Sequence, residues 1–331
     1  MMDRAIFRAL ALAALVIAAP ARAQEVRVGY WASGAAAALG IVMDKGHFLE
    51  AEGLKPTWVT VTKLAEVDRA LISNSIDIAS SGGTLPSLLL GVEKVPARII
   101  LANMIADANF VVPEASPIKT MADLRGKKIG STPAGSTMYA LVGAILRTNY
   151  GFAAADFSQI PSGEAQLLTF MQRGDIDAAV MRTITLRAFG PQAKLRVLAN
   201  VPEQWKKLIG ADSPPVLGVT VVNDGFEAAH PDLVVKYLVA NIRAVRWGAD
   251  HPDEVAAMLA RELQMAEPDA RALAGTWKLT YFASLEESDI ASLQRMAAIF
   301  REDGSIPGDV PRDLFLTAPF QQAKALADKP R

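Results

Sequence analysis

The amino-acid sequence predicts an α/β protein that folds as two similar lobes, each a mostly parallel β-sheet flanked by helices. An internal repeat is the first evidence, because the pattern of residues 26–34 recurs at residues 127–135 with both of its glycines in place. A second match follows at nearly the same offset, where Ile76–Ser80 recurs as Ile176–Val180. Strand and helix patterns also alternate within each half, which is typical of βαβ units. Two matched halves favour two facing lobes over one long doubly wound sheet.

The elements of each half are predicted from hydrophobic spacing, taken in chain order. After the first repeated strand and its loop of small residues, the first half continues as a helix through Leu39, Ile41 and Val42 that stops near Gly46, a strand over Pro56–Val61, a helix through Leu64, Val67 and Leu71, and the strand Ile76–Ser80. The second half repeats this order with a helix through Met138, Leu141, Ile145 and Leu146, a strand over Phe157–Ile160, a helix through Leu167, Leu168 and Met171, and the strand Ile176–Val180. Short apolar strands of this kind are typical of buried parallel sheets.

The remainder of the chain is assigned by its connections to the two halves. A connecting strand is predicted at Val111–Glu114 and a second extended segment at Val216–Val222, so the chain crosses between the lobes twice. The tail after the second crossing is predicted to be entirely helical and to pack on the first lobe. We therefore expect lobe 1 to comprise residues 24–108 and 220–331, and lobe 2 to comprise residues 109–219.

The N-terminal segment indicates export. Within residues 1–23, Arg4 and Arg8 precede an apolar run from Ala9 to Ala19, and an Ala-x-Ala pattern ends at Ala23. A transmembrane anchor is the alternative, but eleven helical residues span only ~16 Å of a ~30 Å bilayer core. The chain has no cysteine, so no lipid attachment is expected. The sequence therefore predicts a cleaved signal peptide and a periplasmic, unanchored mature protein.

Composition excludes several classes of function. A formal net charge of −1 gives no basic surface for nucleic acid. The absence of cysteine excludes a thiol nucleophile, a Cys-ligated zinc ion and an iron–sulfur cluster, and only three histidines are present. No catalytic or phosphate-binding motif occurs. The aspartates of the repeated strands, Asp77 and Asp177, are interpreted as residues that cap turns or pair locally. We expect no catalytic residues, no metal and no cofactor.

Several segments, in this order and spacing, carry a resemblance that covers essentially the whole mature chain: the signal peptide, EVRVGYW, SNSIDIASSGG, DLRGKKIGSTPAGST and QRGDIDAAV. Together they resemble the nitrate/sulfonate/taurine family of ABC-transporter substrate-binding proteins. The resemblance implies a two-lobed periplasmic-binding-protein fold (type II), joined by two crossing strands. It also implies that the lobes close on a small ligand, which is then delivered to the transmembrane subunits of an ABC permease. We expect the protein to act as a monomer.

Candidate ligand-binding residues follow from the position of the loops. In parallel α/β sheets, ligands bind beyond the carboxyl ends of strands, where helix N-termini favour anions. Four loops qualify, and their residues are Trp31, Ser33 and Gly34; Ser81, Gly82, Gly83 and Thr84; Gly135, Ser136 and Thr137; and Met181 and Arg182. Thr84 and Ser136 have a second interpretation as helix N-caps.

Arg182 is the basic residue of these loops, and it defines the predicted solute. A guanidinium holds a carboxylate or a sulfonate through two parallel hydrogen bonds, with Ser136 and Thr137 supplying further donors. A solvated surface arginine is the alternative. The loops show no acid that would bind an amine, so an alkanesulfonate or an aromatic carboxylate is favoured over taurine.

Two functions from different classes remain open. The first is an extracytoplasmic receptor that closes on a small organic anion. The second is an enzyme on the same two-lobed fold, of the pyrimidine-precursor or menaquinone-pathway type. A secretory signal and the absence of cysteine favour the receptor.

Export predicts a defined N-terminus for the mature protein. We expect signal peptidase to cleave after Ala23, because Ala21-Arg22-Ala23 presents small residues at the required positions. N-terminal sequencing of the protein from a periplasmic extract should begin at Gln24. A product that keeps residues 1–23 and sediments with membranes would contradict this interpretation.

Overall fold

A computed structural model describes residues 24–31, 34–61, 64–210 and 213–329 of the chain. The predicted signal peptide and Ser33 lie outside the described residues. The strands are β1 Gln24–Trp31, β2 Leu54–Val61, β3 Ile78–Gly83, β4 Ala97–Ile105, β5 Ala108–Pro113, β6 Lys128–Ser131, β7 Ser158–Pro161, β8 Ala178–Arg182, β9 Leu195–Asn200, β10 Val216–Asn223 and β11 Tyr281–Ser284.

The α-helices alternate with these strands in the first two thirds of the chain and dominate its last third. They are α1 Gly34–Lys45, α2 Leu64–Ile72, α3 Thr84–Val92, α4 Thr137–Tyr150, α5 Glu164–Arg173, α6 Thr183–Phe189, α7 Val201–Ile209, α8 Asp224–Ala229, α9 Pro231–Asp250, α10 Pro252–Glu262, α11 Glu267–Gly275, α12 Trp277–Thr280, α13 Glu287–Glu302 and α14 Ala318–Ala327.

The strands form two sheets, which confirms the predicted two-lobed α/β fold. Sheet A has the order β11-β4-β10-β3-β1-β2, and sheet B has the order β7-β6-β8-β5-β9. The chain passes from sheet A to sheet B between β4 and β5, and returns between β9 and β10. These two crossings lie side by side, because Ala106 N donates to Pro215 O at 2.9 Å and Ile105 pairs with Val216.

The sheets are mixed rather than mostly parallel. β1 is parallel to β2 and β3, and β6 is parallel to β7 and β8, as the repeat predicts. The strands next to the crossings, β4, β5, β9 and β10, form antiparallel pairs. Strand β5 follows β4 of the other sheet without a helix between them, and β5 and β10 each run antiparallel to both of their neighbours.

The prediction of an entirely helical tail is wrong at one place. Residues Tyr281–Ser284 form β11, which pairs with β4 at the edge of sheet A. Four residues are too few for a period to emerge between two helical patterns. The helices of the tail otherwise pack on the sheet A half, where α9 contacts α1 and α14 contacts β4.

The internal repeat is visible in the pairing of the strands. Gly29 is opposite Ala79 in sheet A, and Gly130 is opposite Ala179 in sheet B. At both positions a larger residue would crowd the isoleucine that precedes the aspartate. A Cβ on Gly29 would lie 2.5 Å from Cδ1 of Ile76. A Cβ on Gly130 would lie 2.7 Å from Cδ1 of Ile176. The isoleucine before each aspartate therefore occupies the space beside a glycine of the neighbouring strand, together with Leu167 in the case of Gly130.

The aspartates of the two repeats also have matching roles. Asp77 Oδ2 accepts a hydrogen bond from Arg27 N at 2.8 Å, and Asp177 Oδ2 accepts one from Lys128 N at 2.8 Å. Each carboxylate thus caps the backbone of the adjacent strand at its entry to the sheet. The aspartates therefore form hydrogen bonds within the fold, but with strands 50 and 49 residues earlier in the chain rather than with a local turn.

The tail contains a close backbone approach that can be tested. Gly248 of α9 packs against the indole of Trp277, and an added Cβ would lie 2.7 Å from its Cζ2 atom. That indole cannot move aside easily, because it is 1% exposed and its Nε1 donates to Val245 O at 2.9 Å. Overpacking of this kind costs about 1–3 kcal/mol.

We therefore expect Gly248→Ala to lower the free energy of unfolding by about 1–3 kcal/mol in urea titrations. Gly275→Ala is the matched control, since Gly275 is exposed at the end of α11 with open space around it. The control is expected to be neutral or stabilising by up to about 1 kcal/mol. Equal effects of the two substitutions would rule out the packing argument.

Candidate functional site

The carboxyl ends of β1 and β3 in sheet A, and of β6 and β8 in sheet B, carry the four predicted loops. Helices α1, α3, α4 and α6 begin directly after these strands. Because parallel strands end at the same edge of a sheet, the loops of each half lie together. The two edges meet through α3 of one half and α4 of the other.

The meeting point of α3 and α4 is a hydrogen bond between the halves. Leu85 N, in the first turn of α3, donates to Oγ1 of Thr137, the first residue of α4, at 3.0 Å. Gly83 also lies beside Thr137, since a Cβ on this glycine would be in ordinary contact with Thr137 Oγ1 at 3.5 Å. The start of α3 thus directs an N–H group at the start of α4, and the partial positive charges of two neighbouring helix N-termini favour a negative charge beside them.

The Ser81–Gly83 segment ends β3 and leads directly into α3 at this place. Ser81 is 1% exposed, and its Oγ has no hydrogen-bond partner. Buried hydroxyls without a partner are rare, because each one loses its hydrogen bond to water. A ligand oxygen next to β3 would give Ser81 that partner.

Thr84 has a different role from the predicted N-cap. Gly83 occupies the N-cap position, and Thr84 Oγ1 donates to Val216 O at 2.8 Å. The hydroxyl therefore ties the start of α3 to the second crossing. Thr84 is 0% exposed, so this bond is shielded from water.

Ser136 is an N-cap in the structure. Its Oγ accepts a hydrogen bond from Tyr139 N at 3.3 Å and lies 2.7 Å from Oγ1 of Thr132. Gly135 before it has a φ of 81°, a left-handed conformation that glycine adopts without strain. The hydroxyl of Ser136 is thus engaged within its own loop, whereas that of Thr137 points across to the other half.

The first loop is described only in part. Trp31 ends β1 opposite Val61, is half-buried and packs on the main core. Gly34 is the first residue of α1 rather than a loop residue. Ser33 lies outside the described residues. Trp31 therefore remains a predicted apolar wall of the site.

The fourth loop places its two predicted residues differently. Met181 is 0% exposed and packs among Val111, Leu167 and Met171 on one face of sheet B. Its side chain belongs to that hydrophobic core. Arg182 ends β8 at the carboxyl edge, with about a third of its side chain exposed.

Arg182 forms an ion pair with Glu164, a partner that was not predicted from the sequence. Arg182 Nε lies 3.0 Å from Glu164 Oε1, and Nη2 lies 3.0 Å from Oε2. The same carboxylate accepts hydrogen bonds from Arg182 N at 2.9 Å and from Thr185 Oγ1. The guanidinium fork that we predicted for a ligand is therefore occupied by a carboxylate of the protein.

Burial and pairing act in opposite directions on this pair. Burial raises the pKa of Glu164, but the charge of Arg182 and the hydrogen bonds from Arg182 and Thr185 outweigh it, so the pKa lies below its ordinary value. Burial lowers the pKa of Arg182, and Glu164 more than compensates for this, so that pKa is raised. Both groups are charged at neutral pH.

Glu164 follows from the same rule as the four predicted loops, namely that ligands bind beyond the carboxyl ends of parallel strands. It is the first residue of α5, directly after β7, and β7 is parallel to β6. The loop after β7 therefore opens at the same edge as the loops after β6 and β8. The alternation of strand and helix in the sequence contains this signal, but only the strand order shows that β7 and β8 flank β6.

The site has contacts to the other half beyond α3 and α4. Tyr281 of β11 lies close enough to Arg182 for their charges to interact, and burial raises the pKa of this phenol although Arg182 opposes that change. Helix α6, which follows Arg182, packs on α11. Arg147 Nη2 of α4 bonds Asp303 Oδ2, just after α13, at 2.7 Å.

Other kinds of site are limited by the same structure. Within the described ranges, no cluster of three His, Asp or Glu side chains is arranged to hold a metal ion. None of the helices in those ranges is long and apolar enough to span a bilayer. A depression of about 480 Å³ lies at the edge of sheet B, lined by Met171, Gln192 and Lys194 among others. It contains none of the predicted binding residues.

Two α/β halves joined by two adjacent crossings, with helix N-termini from both halves facing each other, define a two-lobed solute-binding protein. Comparison with known families then identifies the group. The chain belongs to the ABC-transporter phosphonate periplasmic substrate-binding protein family, whose model matches residues 48–239, more than half of the chain. Members of this family are the periplasmic receptors of ABC transporters.

Individual relatives agree with this assignment. The taurine-binding periplasmic protein of Escherichia coli K12 is 25% identical over 315 residues, which is 95% of this chain and 85% of that protein. The periplasmic aliphatic sulphonate binding protein SsuA from Escherichia coli has a similar fold, with a TM-score of 0.74 and 20% identity over 89% of this chain and 93% of that one. The desulfurization enzyme DszB also shares the fold, with a TM-score of 0.65 and 16% identity over 92% of this chain and 99% of that one.

The cap on α4 predicts the behaviour of a single variant. We expect Ser136→Ala to lower the free energy of unfolding by about 1 kcal/mol, because Tyr139 N loses its acceptor. Ser136→Asn should restore most of this stability, since asparagine caps equally well. Urea titration of the three proteins measures the effect. Unchanged stability in Ser136→Ala would show that the cap contributes nothing.

Proposed function

We propose that this chain is an extracytoplasmic receptor that encloses a small organic anion, a sulfonate or a carboxylate, and delivers it to the transmembrane subunits of an ABC permease. The observation that carries the proposal is the meeting of the α3 and α4 N-termini, where Leu85 N and Thr137 Oγ1 are 3.0 Å apart. Two helix N-termini that face each other stabilise an anion between them, since each presents N–H donors and a partial positive charge.

The residues proposed to contact the anion come from both edges. Sheet A contributes Ser81, Gly82 and Gly83, with the Ser81 hydroxyl as a donor that has no other partner. Sheet B contributes Thr137 and the backbone at Gly135. Trp31, half-buried at the end of β1, supports an organic body beside the charged group.

Arg182 keeps a place in this proposal with a reduced role. Its Nε and Nη2 atoms bond Glu164, which leaves Nη1 for a ligand oxygen. One hydrogen bond from a charged donor replaces the parallel pair that was expected from the sequence. The neutral donors of α3 and α4 therefore supply a larger share of the binding.

The division into lobes supports closure as the mechanism of binding. We propose lobe 1 as residues 24–108 plus 220–331 and lobe 2 as residues 109–219, boundaries close to the points where the chain changes sheets, at the start of β5 (Ala108) and the start of β10 (Val216). Two adjacent crossings form a natural hinge. Residues that touch across the cleft, such as Leu85 and Thr137, would separate on opening and expose their hydrogen-bonding groups to a ligand.

The remaining parts of the proposal concern the state of the protein in the cell. The family is periplasmic, and we propose that export uses the cleaved signal 1–23 with no lipid anchor, since the chain has no cysteine. We further propose that the receptor is a monomer. One chain contributes both edges of the site, so binding requires no second copy.

An enzyme is the competing function, and DszB shows that this fold accommodates one. Cysteine is absent from the chain, which removes a thiol nucleophile. The titratable pair at the site, Arg182 and Glu164, is held in its charged state by mutual bonding, so neither group is poised to transfer a proton at neutral pH. We therefore propose that the ligand is released unchanged.

The function is tested with a panel of alkanesulfonates and carboxylates, using calorimetry on the mature protein. We expect Ser81→Ala to weaken binding of the best ligand roughly 10- to 150-fold, because a hydrogen bond to a charged group contributes about 1.5–3 kcal/mol. The stability of the unliganded protein should not fall, since the hydroxyl of Ser81 has no partner to lose.

Ser292→Ala is the matched control for this experiment. Ser292 of α13 is 5% exposed and its Oγ is likewise unpartnered, but it lies outside the proposed cleft loops. The control should bind as the parent does. Equal affinity in Ser81→Ala would remove Ser81 from the site, and conversion of any bound compound to product would favour the enzyme instead.

A further inference from the structure

The ion pair between Arg182 and Glu164 determines the charge of the sheet B side of the proposed cleft, which we call the cleft wall. Glu164 has only 8% of its side chain exposed, and its two oxygens accept from Arg182 N, Nε and Nη2 and from Thr185 Oγ1. A carboxylate with this many donors remains ionised. The carboxylate of Glu164 therefore neutralises the positive charge of Arg182 at hydrogen-bond distance.

Asp107 adds a second negative charge next to this pair. Its Oδ1 accepts from Thr183 Oγ1 at 2.7 Å, and Thr183 follows Arg182 directly. Among the residues that the structure describes, the charged side chains bonded to Arg182 and Thr183 are thus two carboxylates. With one guanidinium between them, the wall has no net positive charge.

The attraction for an anion then comes mainly from the helix ends. The N-termini of α3 and α4 are each equivalent to roughly half an elementary positive charge. Two of them together match about one negative charge on a ligand. A second negative charge would find no compensation there, because the same edge of sheet B adds the carboxylates of Glu164 and Asp107.

We propose that Glu164 is the residue that determines charge selectivity, restricting the cleft to ligands whose head group carries a single negative charge. This inference rests on the proposed function, since it requires an anion in the cleft. It separates two head groups of nearly the same shape. A sulfonate carries one negative charge at all pH values in which the protein is folded, whereas a phosphonate takes up a second charge as the pH rises through neutrality.

The experiment uses matched pairs of probes that differ only in the head group: the sulfonate and the phosphonate of ethane, butane, benzene and 2-aminoethane. Affinities are measured by calorimetry below and above the second ionisation of the phosphonate. The proteins are the parent, Glu164→Gln, Arg182→Gln and the double variant with both substitutions. Glutamine at position 164 keeps an oxygen that can accept from Arg182 N.

We expect the parent to prefer the sulfonate of a pair and to lose affinity for the phosphonate as the pH rises. In Glu164→Gln, the preference for sulfonate over phosphonate at high pH should fall roughly 10- to 100-fold, because one negative charge has been removed beside the ligand. Arg182→Gln should increase that preference. The double variant should return close to the ratio of the parent, because its net charge is the same.

Glu203→Gln is the matched control, because Glu203 is also in the first turn of a helix of the same half but is exposed on α7. Its ratio and pH profile should equal those of the parent. If Glu164→Gln is too unstable to study, the ordering of parent, Arg182→Gln and double variant still decides the question.

The possible failures are distinguishable. A parent that binds none of the eight probes, and none of the carboxylates of the calorimetry panel above, overturns the proposed organic-anion function and this inference with it. A parent that binds sulfonates, but whose sulfonate-to-phosphonate ratio is the same in all variants, overturns the role of Glu164 alone. A ratio that changes equally in Glu203→Gln would show that the effect is general electrostatics of the protein, which also overturns that role.

Discussion

The architecture depends on two helix N-termini that are brought to face each other across two sheets. The first N–H groups of a helix have no partner within the helix, so the start of α3 and the start of α4 each need an oxygen. Leu85 N finds one in Thr137 Oγ1, and Tyr139 N finds one in Ser136 Oγ. Both acceptors lie at the N-terminus of α4, where Ser136 is the N-cap and Thr137 the first residue. This segment therefore accepts hydrogen bonds from its own helix and from α3. A ligand oxygen in the same place would act on both helices.

The carboxyl edges of sheets A and B are similar because the same set of contacts between neighbouring strands occurs in both halves of the chain. In each half, an isoleucine fills the space that a glycine in the neighbouring strand leaves open, as Ile76 does for Gly29 and Ile176 does for Gly130. The aspartate after each isoleucine then bonds the backbone of that neighbour. These contacts hold β3 against β1 and β8 against β6, so the loops at their carboxyl ends emerge side by side. The loops at these carboxyl ends differ in sequence, but the contacts between the strands that carry them are the same.

Arg182 illustrates how tertiary structure changes the chemistry of a side chain. An arginine near the end of a parallel strand is a reasonable anion-binding residue when it is considered alone. A guanidinium that is two-thirds buried needs a partner, however, since an unpaired buried charge is costly. Glu164 provides it from the start of α5, the helix that follows β7. The pair leaves a wall of balanced charge, so the helix N-termini and neutral donors become the main attraction for an anion.

The hydrophobic periodicity and the internal repeat of the sequence were enough to predict the α/β class, the two halves and the two crossings between them. They also pointed to the loops after β1, β3, β6 and β8 as candidates for a ligand site. The same patterns indicated that Asp77 and Asp177 form hydrogen bonds within the protein, whereas the folded structure shows that the partners are backbone groups 50 and 49 residues earlier in the chain. The folded arrangement was needed to show which strands run antiparallel, that Tyr281–Ser284 joins sheet A, that Met181 lies in the core and that Arg182 is paired. Each of these depends on residues far apart in the chain. Glu164 and Arg182 are eighteen positions apart and meet because β7 and β8 lie on either side of β6, an order that no local pattern specifies.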